Sequence, residues 1–242
     1  MLHTFIALTL AASVPAPPSR IPISHHPVLD TTDTRPGVAV LPFFNGGSLG
    51  GRTQEDLSAL EVGVQQMLMT ELEQNSALRI VDRAVLRQIL EEQNLATAGR
   101  VDAATAARVG RLVGARYVIK GSFMNLDGQF RLDGHVVDTE TSELVKAQQV
   151  YGRRRDLFHL LVDLAGMITR DVRLPPLPRD VATARARLYV PNEAALKYSQ
   201  ALRLAESGRN REAMELYREI VRRFPDYTPA GVRLQQLESA AR

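Results

Sequence analysis

The sequence predicts an α/β layered sandwich built on a mixed β-sheet, followed by a C-terminal all-α helical hairpin. Three observations carry this reading. From Gly37 to Val113, short apolar runs alternate with amphipathic stretches of helical period, the pattern of strands covered by helices. Turn signals at Asp127-Gly128 and Thr139–Ser142 then separate three extended segments in a row, as in an antiparallel meander. Beyond Pro175-Pro176-Leu177-Pro178 the pattern is helical only, so the prolines mark the end of the first domain.

Composition sets the frame. The chain has 242 residues, 45% hydrophobic and 24% charged, which suits one medium domain and a smaller one. Lys and Arg number 30 against 27 Asp and Glu, a net charge of +3. So small a surplus attracts phosphate weakly, and no nucleic-acid partner is expected. Cysteine is absent, which excludes disulfides, thiolate zinc sites, cysteine nucleophiles and a lipid-modified cysteine.

Residues 1–16 read as a signal peptide. Phe5 to Val14 is an uncharged apolar run, too short to span a bilayer, which takes about twenty residues. Val14-Pro15-Ala16 or Ala11-Ala12-Ser13 supplies small residues for cleavage, although the start lacks Lys and Arg. The alternatives are a disordered apolar N-terminus, or a start codon assigned too far downstream. Residues 17–36, rich in Pro, Ser, Thr and His, read as a linker. The adjacent His25 and His26 have no third ligand at a useful spacing, so no metal site is expected.

Within the first domain, 37–173, Gly37 to Phe44 is a nearly continuous apolar run, expected to be a strand buried on both faces. Asn45 to Arg52 is glycine-rich and expected to be a flexible loop. It lacks the Lys-Ser/Thr of a phosphate-binding loop. Leu57 to Gln74 is an amphipathic helix with Leu57, Leu60, Val64, Met67, Leu68 and Leu72 on one face and Glu61, Gln65, Gln66 and Glu73 elsewhere. Thr53 and Asp56 approximate a capping box at its start. Leu78 to Val81 is a short strand. Asp82 caps a helix over Arg83–Gln93 and Asp102 caps another over Ala103–Val113, which Gly114 ends. The three strands are Ala115–Asn125, Gln129–Asp138 and Glu143–Tyr151. In the middle one Phe130, Leu132, Gly134 and Val136 alternate with Gln129, Arg131, Asp133 and His135, so one sheet face is covered and the other open. Asp156 to Val172 closes the domain as a helix, and 174–190 reads as a Pro-rich linker.

The stretch Ile80 to Phe123 resembles the CsgG-like and TolB-N-terminal-like bacterial envelope domains. The matching positions are Arg83, Glu92, Gln93, Gly110, Gly114, Ala115, Gly121 and Ser122. The opening Val38-Ala39-Val40-Leu41-Pro42-Phe43 and the later His135 to Val145 also fit, with Ser142 where the family usually has glycine. The resemblance implies a non-catalytic envelope domain, so these positions are expected to be structural. Gly114 is expected to end a helix, Gly121 to permit close packing, and Arg83 and Glu92 to bond locally. Channel-forming members of the family insert two long hairpins per subunit, each strand needing about nine to eleven residues to cross a bilayer. Here Asn125 meets Phe130 through a short turn and Gln149 leads directly to the helix near Asp156. A membrane-spanning segment in the mature chain is therefore not expected.

The tail, 191–242, resembles a tetratricopeptide repeat. Ala201, Ala213 and Pro225 recur at twelve-residue intervals, and Leu204, Gly208, Tyr217 and Ile220 fill four more of its positions. One repeat and a capping helix fit, fewer than the roughly three units that usually stabilise a stack. The tail must therefore dock on its own domain, on another subunit or on a partner, and a partner or neighbouring subunit is favoured. Arg153-Arg154-Arg155 is the one concentrated basic run and a candidate contact for anionic lipid or polymer.

The function expected is that of a periplasmic or outer-membrane-associated adaptor or assembly protein, acting on an envelope protein partner, by self-association, or both. The alternatives are a subunit of a curli-type secretion channel and an envelope enzyme. No catalytic, cofactor-binding or metal-binding residue is assigned: His3, His25 and His26 lie in the leader and linker. His135 and His159 have no visible carboxylate or nucleophile partner.

Overall fold

The computed structural model describes residues 33–49, 57–95, 101–126, 128–173 and 176–241. β1 (Gly37–Val40) is buried at all four positions, with Val38 and Val40 in the core on one face of the sheet and Ala39 in the core on the other. It runs parallel to β3 (Arg79–Ile80) and to β4 (Tyr117–Leu126). β4 continues into an antiparallel meander with β5 (Gln129–Asp138) and β6 (Leu144–Arg153). The order is β3-β1-β4-β5-β6, with β2 (Phe44–Leu49) also paired to β4. This is the mixed sheet expected.

The first strand ends earlier than its apolar run suggests. Pro42 has no N–H for the ladder, and β1 stops at Val40. The chain then resumes as β2, parallel to β4, across residues expected to form a loop. The glycines make this pairing possible. Gly47 has φ +106, and the register shifts between Asn45 and Ser48, as in a bulge. The expected capping box at Thr53 and Asp56 lies outside the described residues.

One face of the sheet packs on α1 (Ala59–Leu72) and α4 (Leu157–Asp171). Gly134 and Gly152 let α4 approach: a Cβ at either would stand 2.9 or 2.8 Å from Leu164 or Leu160. The opposite face packs on α2 (Arg83–Glu92) and α3 (Ala103–Leu112) through Ala39, Leu41, Val118 and Val137. Both caps form as expected. Asp82 accepts the Ala84 N–H at 2.6 Å and Asp102 the Thr105 N–H at 2.7 Å. Gly114 has φ +65 after α3, the left-handed end expected of it.

Two expectations are corrected. The Pro-rich stretch carries a helix, α5 (Arg179–Arg187), held where Arg185 Nε donates to Glu71 at 2.9 Å. And α1 is not a surface helix with one apolar face. Gln65, Gln66 and Glu71 are all buried with the apolar residues: Gln65 turns toward β1, α5 meets Glu71 and the tail meets Gln66. α6 (Asn192–Glu206), α7 (Asn210–Arg223) and α8 (Thr228–Ala240) pack in succession, and α6 lies on α1. Their residues join one core with α1 and α4, and Thr34–Arg242 forms one unit. The surface that the tail was expected to seek on a partner is supplied by its own chain.

Candidate interaction surface

Registry determines what the sheet shows to solvent. Ile119, Gly121 and Phe123 of β4 lie opposite Val136, Gly134 and Leu132 of β5, all on the α1–α4 side. The intervening residues point the other way. There α2 and α3 cover only Val118 and Val137 among these strands. Lys120, Ser122 and Met124, then Arg131, Asp133 and His135, then Ala147, Gln149 and Tyr151, lie outside that cluster; Asp133 is buried, its β4 and β5 neighbours are half-buried, and the three β6 residues are exposed. The alternation in the sequence anticipates this open face.

Asp133 anchors it. Its carboxylate accepts from Arg131 Nε and Nη2, each at 2.8 Å, and from Gln149 Nε2 at 2.6 Å. Gln149 Oε1 accepts the Tyr151 hydroxyl, and the Arg131 guanidinium lies 5.7 Å from the Tyr151 ring centre, a cation–π contact. Tyr151 is 58% exposed nonetheless. Lys120 Nζ donates to Val101 O at 2.6 Å. Burial, reinforced by Lys120 and opposed by Asp133, holds the His135 imidazole below its ordinary pKa. Three donors thus occupy the Asp133 carboxylate, and the Ser122 hydroxyl lies beside it. The arrangement is a fixed set of polar groups and one aromatic ring, suited to recognition.

The positions matched to the family fall elsewhere. Gly110 faces Thr139 and Val118, and Gly121 faces Phe43 and Asp133 O. A Cβ at Gly110 or Gly121 would come within 2.4 Å of these neighbours, so each permits a close approach. Ala115 is buried and its N–H donates to Gly110 O at 2.8 Å. Glu92 accepts from Gln88 at 2.9 Å and Gln93 ends α2. Ser122 lies on the open face, its Oγ 3.5 Å from Asp133 Oδ2. Arg83 differs from expectation. It reaches out of α2 to Glu206 at the end of α6, 2.8 Å away, with both side chains largely buried. A long side chain at a helix start reaches other elements as readily as its own.

In the tail, Ala201, Ala213, Tyr217 and Ile220 are buried together and Leu204 packs against them. Gly208 has φ +78 between α6 and α7, and Pro225 is exposed after α7. The arginine run spans a change of structure. Arg153 ends β6, while Arg154–Asp156 is a 3-10 turn whose first N–H donates to Gly128 O. Arg155 leans toward Asp156 at 3.9 Å.

The seam between α1 and the tail joins segments far apart in the sequence. A Cβ on Gly63 would fall 1.7 Å from Ser199 Oγ, so the two helices touch through these small residues. The buried polar groups of α1 are each matched. Gln65 donates to Val40 O at 2.6 Å, Gln66 accepts from Arg233 at 2.7 Å, and Glu71 accepts from Arg185. A cavity of about 240 Å³ beside that last pair is lined by Asn75, Ala165, Thr169 and Leu177 among others. Among the described residues no group of three or more His, Asp or Glu could hold a metal ion.

Comparison with known proteins bears on the α/β part. No curated protein matches the chain at a significant level. Among solved structures, the LpoB C-terminal domain from Salmonella enterica is similar at 17% identity, over 51% of this chain and 87% of that one, with a TM-score of 0.39. The PelC dodecamer from Paraburkholderia phytofirmans is 16% identical over 57% of this chain and 88% of its own, with a TM-score of 0.31. TolB from Acinetobacter baumannii is 13% identical over 60% of this chain, with a TM-score of 0.40, and only 30% of TolB is covered. The family profile described as curli production assembly/transport component CsgG matches residues 30–135. Over residues 30–135 this chain carries a CsgG-family domain.

Proposed function

We propose that the chain is a non-catalytic adaptor or assembly protein of the bacterial cell envelope, working by protein–protein contact in the periplasm or at the outer membrane after removal of its leader. The observation that carries this reading is the open β4–β5–β6 face. Its groups are locked to one another rather than poised for proton transfer, and Tyr151 and Arg131 are residue types enriched at binding hot spots. The match to a family described by assembly and transport supports it. The tail, read as a single tetratricopeptide-like unit, then acts as a brace for α1, and Arg153 and Arg155 add positive charge at the end of the face.

A pore-forming role has less support. The gap between β4 and β5 is two residues long, and β6 runs directly into the 3-10 turn before α4. No helix among the described residues is long and apolar enough to cross a membrane.

The test is photo-crosslinking in the native envelope from a probe at Met124. We expect one discrete adduct with another envelope protein, lost on Arg131→Glu while the protein stays folded. An adduct unaffected by Arg131→Glu, or none, would remove the open face as the binding site. Reproducible conductance of the purified protein in planar bilayers would overturn the adaptor reading itself.

A further inference from the structure

The two edges of the sheet are unequal. At one end lie β3, two residues long, and β2, whose ladder is interrupted by a bulge. At the other lies β6, ten residues long and paired only to β5 among the described residues. Most of β6 is exposed, including Leu144 and Tyr151. The Arg154 N–H donates to Gly128 O. By the alternation of antiparallel ladders, even-numbered residues of β6 therefore turn their N–H and C=O toward β5, and Ala147, Gln149, Tyr151 and Arg153 turn theirs outward. A bulge opposite Val136 twists the first residues of the strand, leaving 147–153 as a regular stretch whose outward side meets no other strand among the described residues. Such an edge pairs readily with another strand.

The ends of β6 carry opposite charge. Glu143 precedes the strand and Arg153 and Arg155 close it. We infer that β6 pairs antiparallel with β6 of a second copy, joining two sheets across a two-fold axis at Gln149, with Ala147 of each copy opposite Tyr151 of the other. Antiparallel pairing lays Glu143 of each copy beside the arginine end of the other; parallel pairing would set like charges together. Two-fold closure uses the one long edge twice and leaves no growing end. The short, bulged opposite edge offers no strand of matching length for a head-to-tail contact. This deepens the binding-module reading by assigning one partner, a second copy of the chain, and its failure leaves capture of other proteins through the open face intact.

The test is sedimentation of the full chain from micromolar to hundreds of micromolar concentration. The parent should show a monomer–dimer equilibrium. Ala147→Pro removes only an outward N–H, so it should keep the parent's circular dichroism and sediment as a monomer. Glu143→Arg alone, or Arg153→Glu with Arg155→Glu, should weaken the dimer about tenfold each. All three changes together should restore it. A parent that stays monomeric throughout, or a dimer indifferent to Ala147→Pro, overturns the inference.

Discussion

Replacing Gly63 by alanine sets two effects of opposite sign against each other. In the middle of α1, alanine favours the helix over glycine by about 1 kcal/mol. The new methyl, however, lands 1.7 Å from Ser199 Oγ, 2.5 Å from Ser199 Cβ and 3.2 Å from its Cα. Turning the hydroxyl aside relieves only the first of these and breaks its bond to Ala195 O, 2.7 Å long and buried. The second and third require α6 to move off α1. Overpacking of this kind costs about 1–3 kcal/mol, and loss of the hydrogen bond adds roughly 1 kcal/mol. The net expectation is a loss of about 1–3 kcal/mol in urea unfolding, with earlier proteolytic cleavage of the tail. Gly63→Ala combined with Ser199→Gly moves the methyl from one helix to the other and should recover most of that loss, although Ser199→Gly alone destabilises. Should Gly63→Ala prove as stable as the parent or better, helix propensity alone governs the position and the close contact between α1 and α6 is refuted.

Three further outcomes follow from the same geometry. Ser142 sits at φ +61, so Ser142→Gly should raise stability by about 0.5–1 kcal/mol and Ser142→Val should lower it by more, measured by chemical denaturation. Glu206→Gln leaves the largely buried Arg83 without its counter-charge and should cost about 2 kcal/mol, with Glu206→Asp recovering part of it. The folded state holds the His135 pKa below its ordinary value. The unfolded chain therefore takes up the proton first, and stability should fall as pH drops below about 6.5. His135→Gln should flatten that slope in thermal melts, whereas an unchanged slope would assign it to other groups.

How much of this was legible in the sequence depends on the range of the interactions. Alternation from Gln129 to Asp138 named which side chains face the core and which face out, because strand geometry is local. Asp82, Asp102 and Gly114 announced their helix ends for the same reason. The break at Pro42 was present in the sequence but outweighed by the apolar run around it. α1 departs from a simple amphipathic helix because its polar residues meet partners far along the chain: Gln66 bonds Arg233, 167 residues away, and no local pattern carries that information. One clue was available. A glycine in the interior of an otherwise good helix calls for a packing reason, and Gly63 has one in Ser199. Arg83 occupies a family position, yet its reach to Glu206 depends on the tail, which the family match at residues 30–135 does not include.

The seating of α1 between sheet and tail also has a consequence for the order of events during synthesis. The first half of the chain leaves the ribosome with α1 complete but its outer side, including Gln66 and Glu71, still bare. Contacts so distant in sequence form late, since closing the intervening loop is slow. A nascent chain halted before α6 should therefore expose an adhesive, half-polar helix. Such a chain would be a natural client for holding chaperones until the final three helices arrive.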